Sequence, residues 1–114
     1  MENINYNDFS KVEIRLGRIV KAEGFPEARK PAYKLEIDLG SEIGIKKSSV
    51  QITENYKLEE LTGKYVMCCI NLGNKQIGNF TSEVLTLGIP DDNQFVVLVT
   101  PDKVGNLQLG AKLF

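Results

Sequence analysis

The feature that most constrains this chain is a change of parity near its beginning. In Val12-Glu13-Ile14-Arg15-Leu16 apolar and charged residues alternate, the pattern of a half-buried strand. After Gly17 the phase shifts: Ile19, Val20 and Ala22 are apolar while Arg18 and Lys21 are charged. A parity change at a glycine predicts a bulge or a sharp bend. One long strand bent in its middle can serve both halves of a small closed sheet, and few architectures need such a strand.

The rest of the chain supplies the partners. Phe25 to Lys34, with prolines and Arg29, Lys30 and Lys34, reads as a loop. Tyr33, Leu35, Ile37 and Leu39 alternate with Lys34, Glu36 and Asp38 and predict a second strand with the apolar set facing inward. Gly40-Ser41-Glu42 predicts a turn, and Ile43 to Val50 a third strand. ITENYKLEELTG predicts a short helix, capped by Thr53 or Asn55 and stopped by Gly63. Another short turn, capped by Asn7, should precede the first strand.

Tyr65 to Leu72 and Phe95 to Val99 are strands with apolar residues of both parities. A small barrel should keep one face polar. Two doubly apolar strands therefore predict cover on the outside, from extra strands, from another subunit, or from the tail with Leu107, Leu109 and Leu113. The order of elements predicts an all-β, five-stranded Greek-key barrel with a short helix between strands 3 and 4, the OB-fold, as one domain over residues 1–114.

Composition closes off several chemistries. The chain has no histidine, which removes imidazole acid-base catalysis, Ser-His and Cys-His nucleophiles, and imidazole zinc sites. Cys68 and Cys69 are adjacent in an apolar strand and read as core thiols of a reducing cytoplasm, with no metal spacing. Asp91-Asp92 between Pro90 and Asn93 reads as a turn. No GxxxxGK[ST] phosphate loop occurs. The expectation is a protein with no enzymatic activity, no cofactor and no metal. The polar start MENINYNDF is not read as a signal peptide, and the Val66–Ile70 run is too short to span a bilayer. A formal net charge of −1 argues against bulk phosphate neutralisation as the main task while leaving room for a local basic patch.

The candidate site lies in NLGNKQIGNFTSEVLTLG, Asn71 to Gly88. Here a glycine- and asparagine-rich loop carries Lys75, then Ile77 and Phe80, and runs into a strand through Ser82 and Leu85. A plain surface hairpin is the competing interpretation.

With DFSKVEIRLGRIVKAEGFPEARKPAYKLEIDLG, IGIKKSSVQIT, the Tyr56–Lys64 segment and NKQIGNFTSEVLTLG in order, the chain resembles the CsaA family of secretion-related export chaperones. That family sits within a wider group of tRNA-binding OB-fold modules. The resemblance implies a homodimer built with help from N- and C-terminal elements, and binding of unfolded or pre-secretory polypeptides in apolar surface pockets. The tRNA-binding modules read Ser-Glu-Gly-Met where this chain has Ser82-Glu83-Val84-Leu85, which places it on the chaperone side.

On this basis Phe25, Pro26, Tyr33, Ile77 and Phe80 are the expected apolar contacts to a polypeptide. Ser48, Ser49, Gln51, Asn71 and Ser82 are the expected polar anchors, joined by Arg29. The alternative, a tRNA-binding module, would use Arg29, Lys30, Lys34, Lys46, Lys47 and Lys75 as a phosphate rim, with Ser82 and Leu85 beside them. Tyr33 or Phe80 would then offer a stacking surface. The bland alternative puts Tyr33 and Phe80 in the core.

Overall fold

A computed structural model describes residues 1–114. A short helix α1 (Tyr6–Ser10) leads into the long strand β1 (Ile14–Gly24), followed by β2 (Tyr33–Asp38) and β3 (Ile45–Val50). A 3-10 turn (Leu58–Glu60) precedes β4 (Tyr65–Cys69). Then come the hairpin of β5 (Lys75–Ile77) and β6 (Phe80–Ser82), the short β7 (Leu85–Thr86), and the hairpin of β8 (Gly88–Pro90) and β9 (Val96–Leu98). The main sheet has the antiparallel order β3-β2-β1-β4-β7. It curls until β3 meets the segment between β6 and β7. This nearly closed five-stranded barrel is the OB-fold.

β1 does what its parity change demands. Ile14 to Arg18 pair with β4, and Arg18 to Gly24 pair with β2. The expected distortion falls a little later than Gly17. Register jumps from Ile19↔Ile37 to Lys21↔Glu36, so the extra residue of the bulge is Val20. Gly17 has a separate reason to be glycine: a Cβ there would lie 2.5 Å from Ile37 Cγ2 and 3.0 Å from Leu39 Cδ2. Leu16 and Gly17 are both buried although neighbours on a strand face opposite ways, so β1 is covered on both faces at this point.

The barrel core gathers Ile19, Leu35, Ile37, Leu39, Val50, Ile52, Leu61, Val66, Cys68, Val84 and Leu98. β4 explains its double apolar pattern: Val66 and Cys68 point into this core, while Met67 and Cys69 are buried on its other side. The tail supplies that outer cover. The Leu16 amide donates to the Ala111 carbonyl (3.0 Å), and the Gly110 and Leu113 amides donate to Leu16 and Ile14 carbonyls (both 2.8 Å). Gly110 is left-handed (φ +89°), and a Cβ there would lie 2.5 Å from the Leu39 carbonyl oxygen. β9 keeps an open outer face, with Val97 and Phe95 exposed.

The helix expected between strands 3 and 4 is reduced to its 3-10 turn, with Lys57 at the cap position and no side-chain cap. The expected caps are engaged elsewhere. Thr53 Oγ1 donates to the Glu54 carboxylate, and Asn55 Nδ2 donates to Asp91 and to the Val96 carbonyl. At α1 the cap is Asn5, whose Oδ1 accepts the Asp8 amide at 2.8 Å; Asn7 instead offers its carbonyl to Ser10. No helix is long and apolar enough to cross a membrane.

Candidate functional site

The barrel closes along a short seam and then opens. The Lys47 carbonyl accepts the Glu83 amide at 2.7 Å and the Val84 amide at 3.3 Å. The Lys47 amide donates to the Glu83 carboxylate at 2.9 Å, and the Ser49 amide donates to Ser82 Oγ at 3.0 Å. Past Ser49 the two sides separate around a cleft of about 600 Å³. One wall is Ser49, Val50 and Gln51; the facing wall runs from Val84 to Gly88; the loop from Leu72 to Lys75, with Ile77, closes a third side. Leu72 and Leu85 are 67% and 49% exposed, so the cleft presents apolar surface to solvent. Lys75 is the one charged residue in its lining, and it makes no ion pair within the chain.

Beside the cleft sits an aromatic pair. Phe25 and Phe80 meet edge to face with ring centroids 5.4 Å apart. The Lys34 ammonium lies 5.3 Å from the Phe25 centroid and 5.9 Å from that of Phe80, while Lys47 lies 5.6 Å from Phe80. Each contact is a cation-π attraction, about 0.5–1 kcal/mol where exposed. Lys34 is also balanced by Glu23 at 3.8 Å, whereas the Lys47 ammonium has no carboxylate partner. A second, shallower depression of about 450 Å³ lies behind Phe25, with Pro26, Arg29, Ala32 and Thr53 in its lining.

The structure brings together Ser49, Gln51, Ile77 and Ser82 from the expected polypeptide contacts with Lys75 and Leu85 from the expected RNA contacts, all in one cleft. Phe25, Pro26 and Arg29 share the second depression. Phe80 flanks the cleft against Phe25, and Lys30 stands exposed on the loop beyond. Lys46 is half-buried on the strand parity of buried Ser48 and Val50, away from outward-facing Lys47.

One expected contact is corrected, and two others have partners within the chain. Ser48 is fully buried and its hydroxyl is bonded to that of Thr86 at 2.8 Å, so it faces the core rather than a ligand. Tyr33 packs against the core and its hydroxyl donates to the Tyr56 carbonyl at 2.9 Å. Asn71 ties down the start of the chain. Its Oδ1 accepts the Glu13 amide at 3.1 Å and the Cys69 thiol, and its Nδ2 donates to the Lys11 carbonyl at 2.7 Å. Asn74 lines the cleft from the expected loop, and Leu72, Leu87 and Val96 line it although their residue types do not mark them as contacts. The exposed Leu72, at the end of an apolar run and beside Gly73-Asn74, was the one available sign.

Three titratable groups outside the cleft are shifted by their structural surroundings. Lys112 and then Arg15 bond the Glu13 carboxyl and hold it below its ordinary value. Asn55 and the Phe95 amide do the same for Asp91. Burial pushes the Cys68 thiol up to about 12, against a smaller opposing bond from Thr86. No group of three or more acidic or cysteine side chains is placed to hold a metal ion.

Fold and cleft together define a tRNA-binding-type OB-fold. Residues 14–109 match the family described as "Putative tRNA binding domain". The crystal structure of a CsaA chaperone protein from Picrophilus torridus superposes with a TM-score of 0.89 at 49% identity, covering 98% of this chain and 100% of that one. Chaperone CsaA from Bacillus anthracis gives 0.88 at 41% identity, over 99% of this chain and 100% of its own. The methionine–tRNA ligase of Pyrococcus furiosus is 36% identical over 118 residues. That match takes in 99% of this chain, which spans 15% of the ligase. The chain belongs to the tRNA-binding OB-fold family and, within it, to the CsaA proteins.

Proposed function

We propose that this chain is a non-catalytic, ATP-independent chaperone that holds unfolded or precursor polypeptides in the cleft between β3 and β7. It acts as a homodimer in the cytoplasm, each subunit a single domain over residues 1–114. The observation that carries this reading is the make-up of the cleft: exposed Leu72 and Leu85 with Ile77, hydrogen-bonding Ser49, Gln51 and Asn74, and a single charge at Lys75. Mostly apolar surface with a few polar anchors suits an extended peptide. A phosphate backbone would favour several cations lining the same groove.

Capture of this kind needs no nucleotide. It is mass action, with the chaperone competing against aggregation for exposed apolar segments. The homodimer is supported by what the single chain leaves open. Ile4, Tyr6 and Phe9 near α1 and Leu113 and Phe114 on the tail are exposed, and Lys112 ties the two regions by donating to the Ser10 carbonyl at 2.8 Å. Two buried free thiols accord with a reducing compartment.

The test is charge placed in the cleft. Leu85→Asp and Leu72→Asp, both at exposed positions, should each abolish binding of a labelled unfolded polypeptide with little change in the unfolding midpoint. Unchanged affinity in both variants would remove the cleft from the account. One observation favours tRNA as a second reading: the ammonium groups of Lys34 and Lys47 converge on Phe80 next to the cleft that holds Lys75. Neutralising Lys47 and Lys75 together should then cost RNA binding and spare polypeptide binding.

A further inference from the structure

The β3 wall of the cleft is an unfinished sheet edge. Along β3 the backbone groups alternate between β2 and the seam, as in any antiparallel strand. Lys47 and Ser49 are the residues that turn to the seam, shown by their bonds to Glu83, Val84 and Ser82. The seam ends there. The Ser49 amide meets only a side chain, that of Ser82, and neither backbone group of Gln51 has a hydrogen-bond partner in the chain; both residues line the cleft. Exposed backbone donors and acceptors in register are a template for one more strand.

The facing surface fits such a strand. Leu85 and Leu72 stand exposed across the cleft, with Ile77 half-buried beside them. Side chains on one face of an added strand would reach these residues, while its backbone met the free edge. The charge pattern adds a direction: Lys75 lines the cleft with no carboxylate among its neighbours there and no ion-pair partner elsewhere.

We propose that the cleft takes an extended polypeptide segment that adds as a short strand to the Ser49–Gln51 edge, lays apolar side chains on Leu72 and Leu85, and brings a carboxylate to Lys75. This recognition combines main-chain pairing, which is indifferent to sequence, with a preference for apolar segments flanked by acid. It rests on the polypeptide-binding reading above and specifies how that binding is achieved.

The experiment is fluorescence anisotropy with the full chain and short labelled peptides of alternating leucine and serine. One peptide ends in aspartates, its counterpart in lysines with an amidated terminus, and two further versions of the first carry N-methyl groups on alternate amides in either phase. The acidic peptide should bind about two- to fivefold more tightly than the basic one, the range of an exposed ion pair. One methylation phase should lose binding and the other keep it. Lys75→Glu should reverse the preference toward the basic peptide, an outcome that loss of folding cannot produce. Equal binding of both peptides, untouched by either methylation phase, would overturn strand addition while leaving an apolar cleft in place. Failure of every peptide to bind would overturn the chaperone reading itself, and this proposal with it.

Discussion

Ser48 and Thr86 meet inside the barrel with their hydroxyl oxygens 2.8 Å apart, the two buried polar side chains of an otherwise apolar core. The bond joins β3 to β7, the strands that flank the cleft. Ser48→Ala would strand the Thr86 hydroxyl, leaving it only the Cys68 sulfur at 4.0 Å. A loss of about 1–3 kcal/mol is expected in urea unfolding, the cost of an unpaired buried hydroxyl. Adding Thr86→Val should recover part of that loss, because the double variant leaves no orphan group. A double variant as costly as the sum of the singles would show that the two hydroxyls act independently.

Phe80→Ala separates the aromatic pair from the cleft. It removes the edge-to-face contact with Phe25, which is only 5% exposed, and frees Lys34 and Lys47 from the ring. The expected cost in stability is about 1–3 kcal/mol, from lost burial and the ring contact together. Polypeptide affinity should fall as well, since Ile77 and Phe80 are paired across the hairpin and Ile77 lines the cleft. Unchanged affinity would confine the ligand to the β3–β7 side.

Acid should loosen the tail. The Glu13 carboxylate accepts from Lys112 at 2.9 Å and from Arg15 at 2.6 Å and 3.0 Å, which clamps the tail to the start of β1. Its folded-state value is lowered from 4.5, so its stabilisation is fully present above 4.5 and disappears as pH falls through the lower folded value. The unfolding temperature of the native chain should therefore exceed that of Glu13→Gln at neutral pH, and the two should converge as pH drops below 4.5. A gap that stays constant into acid would mean the carboxylate is not the clamp.

The thiols should be silent in the folded chain. Burial keeps Cys68 neutral with a value raised from 9.0 to about 12. Its contribution to stability is full below 9.0 and is lost as pH rises toward 12. Cys69 is 4% exposed and bonded to Asn71. A thiol reagent at mildly alkaline pH should label neither residue until denaturant is added. Prompt labelling of the native chain would contradict the burial of β4 on both faces.

Much of the barrel was legible because its strands are half-buried, and half-burial writes itself as alternation. Leu35, Ile37 and Leu39 are all fully buried as their parity predicts, and the doubly apolar β4 does lie under a second layer. The bulge was legible as a parity change, but its position at Val20 was not, since a valine reads the same whether it faces core or solvent. Leu58 and Leu61 are three apart, a spacing that satisfies a single 3-10 turn as well as a helix. Pro90 read as turn, yet it ends β8, where an edge strand tolerates its missing amide. Of the site, the loop and strand after Asn71 could be found from residue types. Ser48 could have been placed inside from its shared parity with Val50 and Ile52, whereas the commitment of Asn71 to Glu13 and Lys11 depends on contacts distant in sequence.

The most direct test of the account is a paired titration of the purified chain with a labelled unfolded polypeptide and with bulk tRNA, each at low and near-physiological salt. The account predicts polypeptide binding that persists as salt is added, because apolar burial is not screened, beside tRNA binding that fades. Phosphate-dominated binding weakens steeply over that range. Tight tRNA binding that survives physiological salt, with no polypeptide signal at either salt, would contradict the account and make the cleft an RNA site.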